Sequence, residues 1–113
     1  MAVIESRIQT VEDIYRIIRT AVVDKCPVQA VYAGRRRLLW PHRLGRNSRG
    51  ELRVLCYQFG NIDDGLSRNE TTGGWRCIVL EKLTSVGAVD GPWYTPTDYA
   101  PAGGCVVAVD VEV

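Results

Sequence analysis

The chain has 113 residues and a mass of 12.6 kDa, and 46% of its residues are hydrophobic, which suits one domain with a modest core. Its formal net charge of +1 excludes a uniformly basic or acidic protein. No apolar run approaches the roughly 18 residues of a membrane span, and the first ten residues lack an apolar signal core. We therefore expect a single cytoplasmic domain, residues 1–113, without membrane association.

The small net charge hides an uneven distribution along the chain. Residues 1–27 are neutral, residues 28–58 carry a net charge of +6, and residues 59–113 carry −5. The basic residues of the middle segment are all arginines: Arg35, Arg36, Arg37, Arg43, Arg46, Arg49 and Arg53. Guanidinium groups bind phosphate or carboxylate through paired hydrogen bonds, so this segment favours anion recognition. Alternatively, these arginines lie on a solvated sheet face and pair with acids of the second half.

The cysteines are spaced too widely to indicate a metal site. Cys26, Cys56, Cys77 and Cys105 form no C-x-x-C pair, and the chain has one histidine, so we expect neither structural zinc nor another cofactor. In a cytoplasmic chain each cysteine is interpreted first as a small buried hydrophobic residue. A disulfide or redox role is the alternative.

The first predicted element is an amphipathic helix over about residues 11–25. Thr10 and Asp13 have the spacing of an N-cap with an acid in the first turn. Apolar residues recur at helical spacing: Val11, Ile14, Ile18, Ala21 and Val22. Pro27 should end the helix, because a proline disfavours α conformation in the residue before it.

Short β-type runs follow, separated by turns. The predicted strands are 28–32, 36–45, 52–59, 75–80 and 83–89. Pro41 predicts an edge, bend or bulge within the second strand. Because no crossover helix separates these strands, we predict an α+β fold, mainly β, with an N-terminal helix packed on a small five-stranded barrel over about residues 28–90.

Two further segments complete the chain. The polar stretch 60–74 is long for a loop of a compact domain, and is either functional or a tolerated insertion. Residues 91–113 should form an extended segment and an extra C-terminal strand, since valines alternate with other residues from Val107 to Val113. This strand either completes the protein's own sheet or pairs with a second copy to form a homodimer.

The sequence lacks the motifs of common catalytic sites. His42 is the only imidazole, and neither a phosphate loop of the G-x-x-x-x-G-K-[ST] kind nor a dinucleotide fingerprint occurs. We therefore expect a non-enzymatic protein.

One candidate binding site remains. It combines arginines, one imidazole and aromatic rings, which can hold a phosphate or stack on a base. Strand alternation places His42 and Arg43 on opposite faces unless a bulge intervenes, for which Pro41 offers a place. In the next strand Arg53 and Tyr57 should share the face away from the core. Each of these residues also has a structural interpretation: a lone histidine is often a hydrogen-bonded structural residue.

Ordered motifs in this region resemble a known family. The chain reads Tyr-x-Gly-Arg-Arg-Arg-x-x-x-Pro-His-Arg-Leu at 32–44, has a strand ending in Tyr57, and continues with Trp75-Arg76 and Leu-Glu-Lys-Leu at 80–83. Over about residues 12–95 this order resembles the WYL domain family of bacterial regulators. The tryptophan and tyrosine of the tripeptide that names the family are replaced at Leu52-Arg53-Val54.

The resemblance implies an Sm-like or SH3-like barrel that binds a ligand or nucleic acid and regulates a partner protein. By motif match, it implies these ligand-binding residues: Tyr32, His42, Arg43, Tyr57 and Arg76. Our first hypothesis is a regulatory, ligand-sensing module that binds a small anionic ligand or nucleotide and modulates a partner protein.

Two alternatives remain. One is an Sm-like module that binds single-stranded nucleic acid, through Arg35, Arg36, Arg37, Arg46, Arg49, Arg53 and Trp75. The other is a structural or interaction protein that dimerises through its C-terminal strand.

Overall fold

The computed structural model describes residues 9–61, 74–99 and 105–113. Its elements are α1 (Val11–Asp24), β1 (Val28–Tyr32), β2 (Arg35–Arg46), β3 (Leu52–Asn61), β4 (Gly74–Val79), a 3₁₀ turn (Leu80–Lys82), β5 (Thr84–Ala88) and β6 (Ala108–Glu112). This architecture confirms the predicted α+β class, mainly β, with an N-terminal helix and a C-terminal strand. No helix of the described residues is long and apolar enough to cross a membrane. Most of the predicted 60–74 loop lies outside the described residues.

The helix begins and ends as its local sequence dictates. The Thr10 hydroxyl accepts a hydrogen bond from the Asp13 N–H (3.1 Å), and the Asp13 carboxylate accepts one from the Thr10 N–H (2.9 Å), which forms a capping box. After Asp24 the chain turns through Lys25 in left-handed conformation, φ 56°. The buried side chains follow the predicted stripe: Ile14, Ile18, Ala21 and Val22.

The strands form one antiparallel sheet in the order β4-β3-β2-β1-β5. The long strand β2 pairs with β1 through Arg35–Leu39 and, along the same edge, with β6 through Arg43–Arg46. The C-terminal strand therefore completes the protein's own sheet, one of the two predicted arrangements. The sheet is open, because no hydrogen-bonded pairing joins its end strands β4 and β5 in the described parts of the chain.

One face of the sheet packs against α1, and we call it the inner face; the opposite face is the outer face. Inner-face residues form one buried cluster with the helix, including Val28, Ala30, Leu39, Leu44, Val54, Cys56 and Ile78. Burial of a valine, leucine or isoleucine side chain stabilises the folded state by about 1.5–3 kcal/mol. Val54 and Cys56 are thus on the core face of β3, as their alternation predicts.

A bulge in β2 decides which side chains reach the outer face. The register with β3 shifts between Pro41 and Arg43, so that His42 has no residue directly opposite it. Arg43 then pairs with Leu55, which alternates with the buried residues of β3. His42 and Arg43 consequently both belong to the outer face, through the irregularity predicted at Pro41.

A disulfide joins Cys77 of β4 to Cys105, with their Cα atoms 5.8 Å apart. The expectation that every cysteine is a buried hydrophobic residue is therefore wrong for these two. Local spacing could not reveal the bond, because the partners are 28 residues apart and meet only when the chain returns toward β6. Cys56 is fully buried, as expected, and burial raises the pKa of its thiol. Disulfides are rare in reducing compartments, so this bond lends no support to a cytoplasmic location.

Candidate functional site

The five ligand-binding residues implied by the family resemblance fall into two groups. Tyr32 packs against the core cluster, and Arg76 pairs with the buried Cys56, so both lie on the inner side of the sheet. His42, Arg43 and Tyr57 lie on the outer face. The structure therefore does not bring the five residues into one concave site.

The inner group also includes Arg37, a residue predicted from the sequence only as a nucleic-acid contact. Its Nε donates a hydrogen bond to the Tyr32 carbonyl oxygen (3.1 Å), and its Nη1 donates to Gln58 Oε1 (3.0 Å). The guanidinium carbon lies 5.3 Å from the centre of the Tyr32 ring, a cation–π contact. Gln58 is only 4% exposed, so its carbonyl oxygen is a fixed acceptor that orients Arg37.

Local backbone geometry brings these residues together. A two-residue turn, Ala33 and Gly34, joins β1 to β2 with φ values of 54° and 78°. Positive φ at both positions is typical of a type I′ turn, whose twist suits a hairpin. Tyr32 is therefore held beside the first residues of β2, where Arg37 lies.

Arg37 and Arg76, which we call the arginine pair, carry like charges close to each other. Burial lowers the pKa of Arg37, and the positive charges of Arg76 and Arg35 lower it further. Arg76 Nη1 donates to the Trp75 carbonyl oxygen (3.2 Å). Within the described ranges, no ion pair joins either member to a carboxylate. Among the described residues, the pair thus combines oriented donors with positive charge that no carboxylate pairs with, a combination suited to anion binding.

The outer face carries a large group of rings. Trp40, Tyr57 and Trp75 lie directly opposite one another on β2, β3 and β4. Trp40 stacks on Phe59 with ring centres 4.4 Å apart, and the Tyr57 ring meets Trp75 edge-on at 5.3 Å. Cross-strand aromatic pairs of this kind stabilise a sheet.

Residues 92–99, which we call the strap, cover part of this face. The Trp93 ring stacks on His42 at 4.4 Å, and the Tyr99 ring lies 5.2 Å from both His42 and Trp75. Trp75 Nε1 donates to Asp98 (3.1 Å). Trp75, a predicted stacking platform for bases, is thus already engaged by side chains of the protein itself.

His42 is fully buried beneath the strap. Its Nδ1 lies 2.8 Å from the Trp40 carbonyl oxygen and its Nε2 lies 3.1 Å from Thr95 Oγ1. Burial lowers the pKa of His42, although the hydrogen bond to Trp40 opposes this change. These contacts fit the structural interpretation of the histidine better than ligand binding.

Arg43 is paired within the protein. Its Nη1 lies 3.9 Å from Glu112 Oε2, and the same oxygen accepts a hydrogen bond from Tyr99 Oη (2.8 Å). Burial and the Glu112 contact raise the pKa of Tyr99. Arg43 therefore links β2 to β6 and the strap.

The remaining basic residues lie near the opposite end of β2. Arg46 donates to the Gly50 carbonyl oxygen, and Glu51 pairs with Arg49 (3.7 Å) and Arg53 (3.2 Å). A hydrogen bond from Asn47, with these two arginines, lowers the pKa of Glu51. Ten residues of extended strand span roughly 30 Å, so these arginines are far from Arg35, Arg36 and Arg37. The arginines proposed for nucleic-acid binding thus form two separate groups.

A groove between α1 and β6 was not predicted. Its volume is about 530 Å³, and apolar residues such as Val11, Leu52 and Val109 line it together with Tyr15. Burial raises the pKa of Tyr15 to about 12, and its hydrogen bond to Asp110 adds to this change. No sequence signal marks this groove, since it depends on β6 pairing beside the helix.

The described residues contain no group of His, Cys, Asp and Glu side chains suited to a metal ion. Comparisons of the chain with protein family models, curated proteins and solved structures find no match. The fold and the arginine pair define an α+β domain with a candidate anion site on its inner side. The resemblance to the WYL family stays a prediction.

Proposed function

We propose that this protein is a non-enzymatic, ligand-sensing module that binds a small anionic ligand, or the phosphate of a nucleotide, at Arg37 and Arg76. Binding there would modulate a partner protein. One observation carries the proposal: Arg37 and Arg76 lie on the same side of the sheet, the positive charge of Arg76 helps to lower the pKa of Arg37, and no described carboxylate forms an ion pair with either residue.

Physical chemistry favours an anion at this point. Two positive charges in a partly buried position repel each other. An anion bound between them would form a favourable contact with each guanidinium group. Gln58 and the Tyr32 carbonyl oxygen hold the Arg37 guanidinium in place, so little side-chain freedom remains to be lost on binding. The Tyr32 ring offers a second surface for a planar ligand such as a base.

The other basic residues are less suited to this role. Arg43 contacts Glu112, and Arg49 and Arg53 contact Glu51. A carboxylate already bound to a guanidinium group competes with any incoming anion. Arginines near the Arg46 end of β2 are paired with a carboxylate, whereas Arg37, near the other end, has no described carboxylate partner. We therefore place the anion site at Arg37 and Arg76.

Calorimetric titration with inorganic phosphate and with ATP tests the proposal, using the wild-type protein and the variants Arg37→Gln and Arg76→Gln. We expect saturable binding by the wild type. Loss of one charged hydrogen-bonding group, worth about 1.5–3 kcal/mol, should weaken it by roughly ten- to a hundredfold in either variant. Arg49→Gln is the matched control and should bind like the wild type. The proposal fails if the wild type binds neither anion, or if the three variants behave alike.

The nucleic-acid alternative is distinguished by fluorescent single-stranded DNA titrated across a salt series. Binding that is lost steeply with salt and depends equally on Arg37 and Arg49 would favour a nucleic-acid module over a small-anion site. No DNA binding at low salt removes that alternative. In the dimer alternative a second copy would pair with the edge of β6 that does not contact β2, and the solution mass of the protein distinguishes this arrangement from a monomer.

A further inference from the structure

We propose that the Cys77–Cys105 disulfide is a thiol-exchange site, at which a small-molecule thiol attacks the Cys105 sulfur and Cys77 leaves as a thiolate. The inference is independent of the anion site. It depends on three observations about this bond: its accessibility, the charge beside one of its sulfur atoms, and its position between two segments of the fold.

The bond is within reach of solvent. Cys77 is an exposed residue of β4, which is an end strand of the sheet, and Cys105 is half-buried. Exchange requires that a thiolate approach one sulfur, so accessible disulfides react where buried ones are protected.

A guanidinium group makes the two sulfur atoms unequal. Arg53 Nη1 points at Cys77 Sγ at 3.7 Å. Its Nη2 is anchored by Glu51 at 3.2 Å, and because Arg49 shares that carboxylate, one negative charge faces two positive charges and net positive charge remains beside Cys77. A neighbouring arginine stabilises a thiolate, and the thiol of lower pKa is the better leaving group. Cleavage should therefore place the negative charge on Cys77.

The reaction balances as a two-step exchange. The external thiolate forms a bond to Cys105 Sγ, the bond between the two cysteine sulfurs breaks, and its electron pair leaves with Cys77. A second external thiolate then attacks the external sulfur of the mixed disulfide, releasing Cys105 as a thiolate and the oxidised external disulfide. Two external thiols are oxidised, and the protein disulfide gains two electrons.

Exchange would alter how the outer face is closed. The disulfide links Cys77 of β4 to Cys105, which follows the strap in the chain and immediately precedes Val106. Opening it removes this tie, while hydrogen bonds such as Trp75 Nε1 to Asp98 still hold the strap. Tryptophan fluorescence can follow the change, because the rings of Trp75 and Trp93 both contact His42 beneath the strap.

The experiment is to incubate the air-oxidised full chain with glutathione, quench with acid, label free thiols with a maleimide at mildly acidic pH, and map both adducts by mass spectrometry. We expect glutathione on Cys105 and maleimide on Cys77 in most singly modified molecules. In Arg53→Gln we expect exchange to be slower by about threefold or more and the preference for Cys105 to be reduced.

Arg49→Gln is the control, since Arg49 shares Glu51 but no contact of it with the disulfide is described. Arg53→Lys keeps the positive charge and should retain part of the preference. Thermal unfolding of each oxidised variant separates a change in chemistry from a loss of structure. The proposal is overturned if purified protein lacks the bond, if glutathione favours Cys77, or if folded Arg53→Gln exchanges at the rate of Arg49→Gln.

Discussion

His42 was predicted as a ligand-binding residue, but its contacts in the fold are those of a structural residue. Its two ring nitrogens contact the Trp40 carbonyl oxygen and the Thr95 hydroxyl, and Trp93 covers its ring. The carbonyl can only accept a hydrogen bond, so Nδ1 carries the proton and Nε2 accepts from Thr95. A second ring proton would place a charge in a buried position, which agrees with the lowered pKa of His42.

The stability of the protein should therefore depend on pH through His42. Because the pKa of His42 is lower in the folded state than the ordinary value of about 6.5, its contribution to stability is complete above that value. The contribution is lost as the pH falls through the folded-state pKa. Denaturant unfolding at pH 7.5 and pH 5 should show the wild type to be less stable at pH 5.

The matched variant is His42→Gln, which keeps hydrogen-bonding capacity without a titrating ring. As the chain has one histidine, this variant should lose most of the difference in stability between the two pH values. An unchanged difference would mean that another group is responsible.

At the scale of elements, the helix has the most completely local explanation. The capping box of Thr10 and Asp13 satisfies backbone N–H groups that would otherwise lack intrahelical partners. Four buried residues at helical spacing then attach α1 to the sheet. Both features are visible in the sequence.

Thr10→Ala should consequently lower the free energy of unfolding by about 1 kcal/mol, through loss of the cap. Thr20→Ala is the control: Thr20 is exposed within the same helix, where alanine is the better helix former. Denaturant unfolding should show it to be equal to or more stable than the wild type. Equal losses in the two variants would show that the cap has no special role.

The positions of the strands were predictable from local sequence patterns, whereas contacts between segments far apart in the sequence were not. Alternation placed Val54 and Cys56 in the core, and Pro41 marked the bulge beside His42. The strap and the disulfide depend on the path of the chain between β5 and β6, which no local pattern encodes. That path brings Cys105 to Cys77 and covers the outer rings.

The residues of the candidate site were only partly predictable, because motif similarity does not show which face of the sheet a residue occupies. Motif similarity named Tyr32 and Arg76, but also residues that alternation and the bulge send to the opposite face. Gln58 was missed, although a polar residue on the core side of an alternating strand is a recognisable signal.

At the scale of the whole molecule, the basic segment 28–58 is divided by the geometry of β2. Arg49 and Arg53 share contacts with Glu51, and Arg43 contacts Glu112, while Arg37 and Arg76 lie on the inner side without a described carboxylate partner. Net charge along the sequence therefore overstates the extent of any basic surface. This distribution is the reason that we propose a small anion rather than an extended polyanion as the ligand.

The most direct test follows the arginine side chains themselves. In ¹H–¹⁵N spectra recorded during a titration with inorganic phosphate, the Nε–Hε signals of Arg37 and Arg76 should shift and reach saturation together. The corresponding signals of Arg49 and Arg53, which contact Glu51, should stay almost unchanged. Equal shifts of all four signals, or the absence of any shift, would contradict the existence of an anion site at the arginine pair.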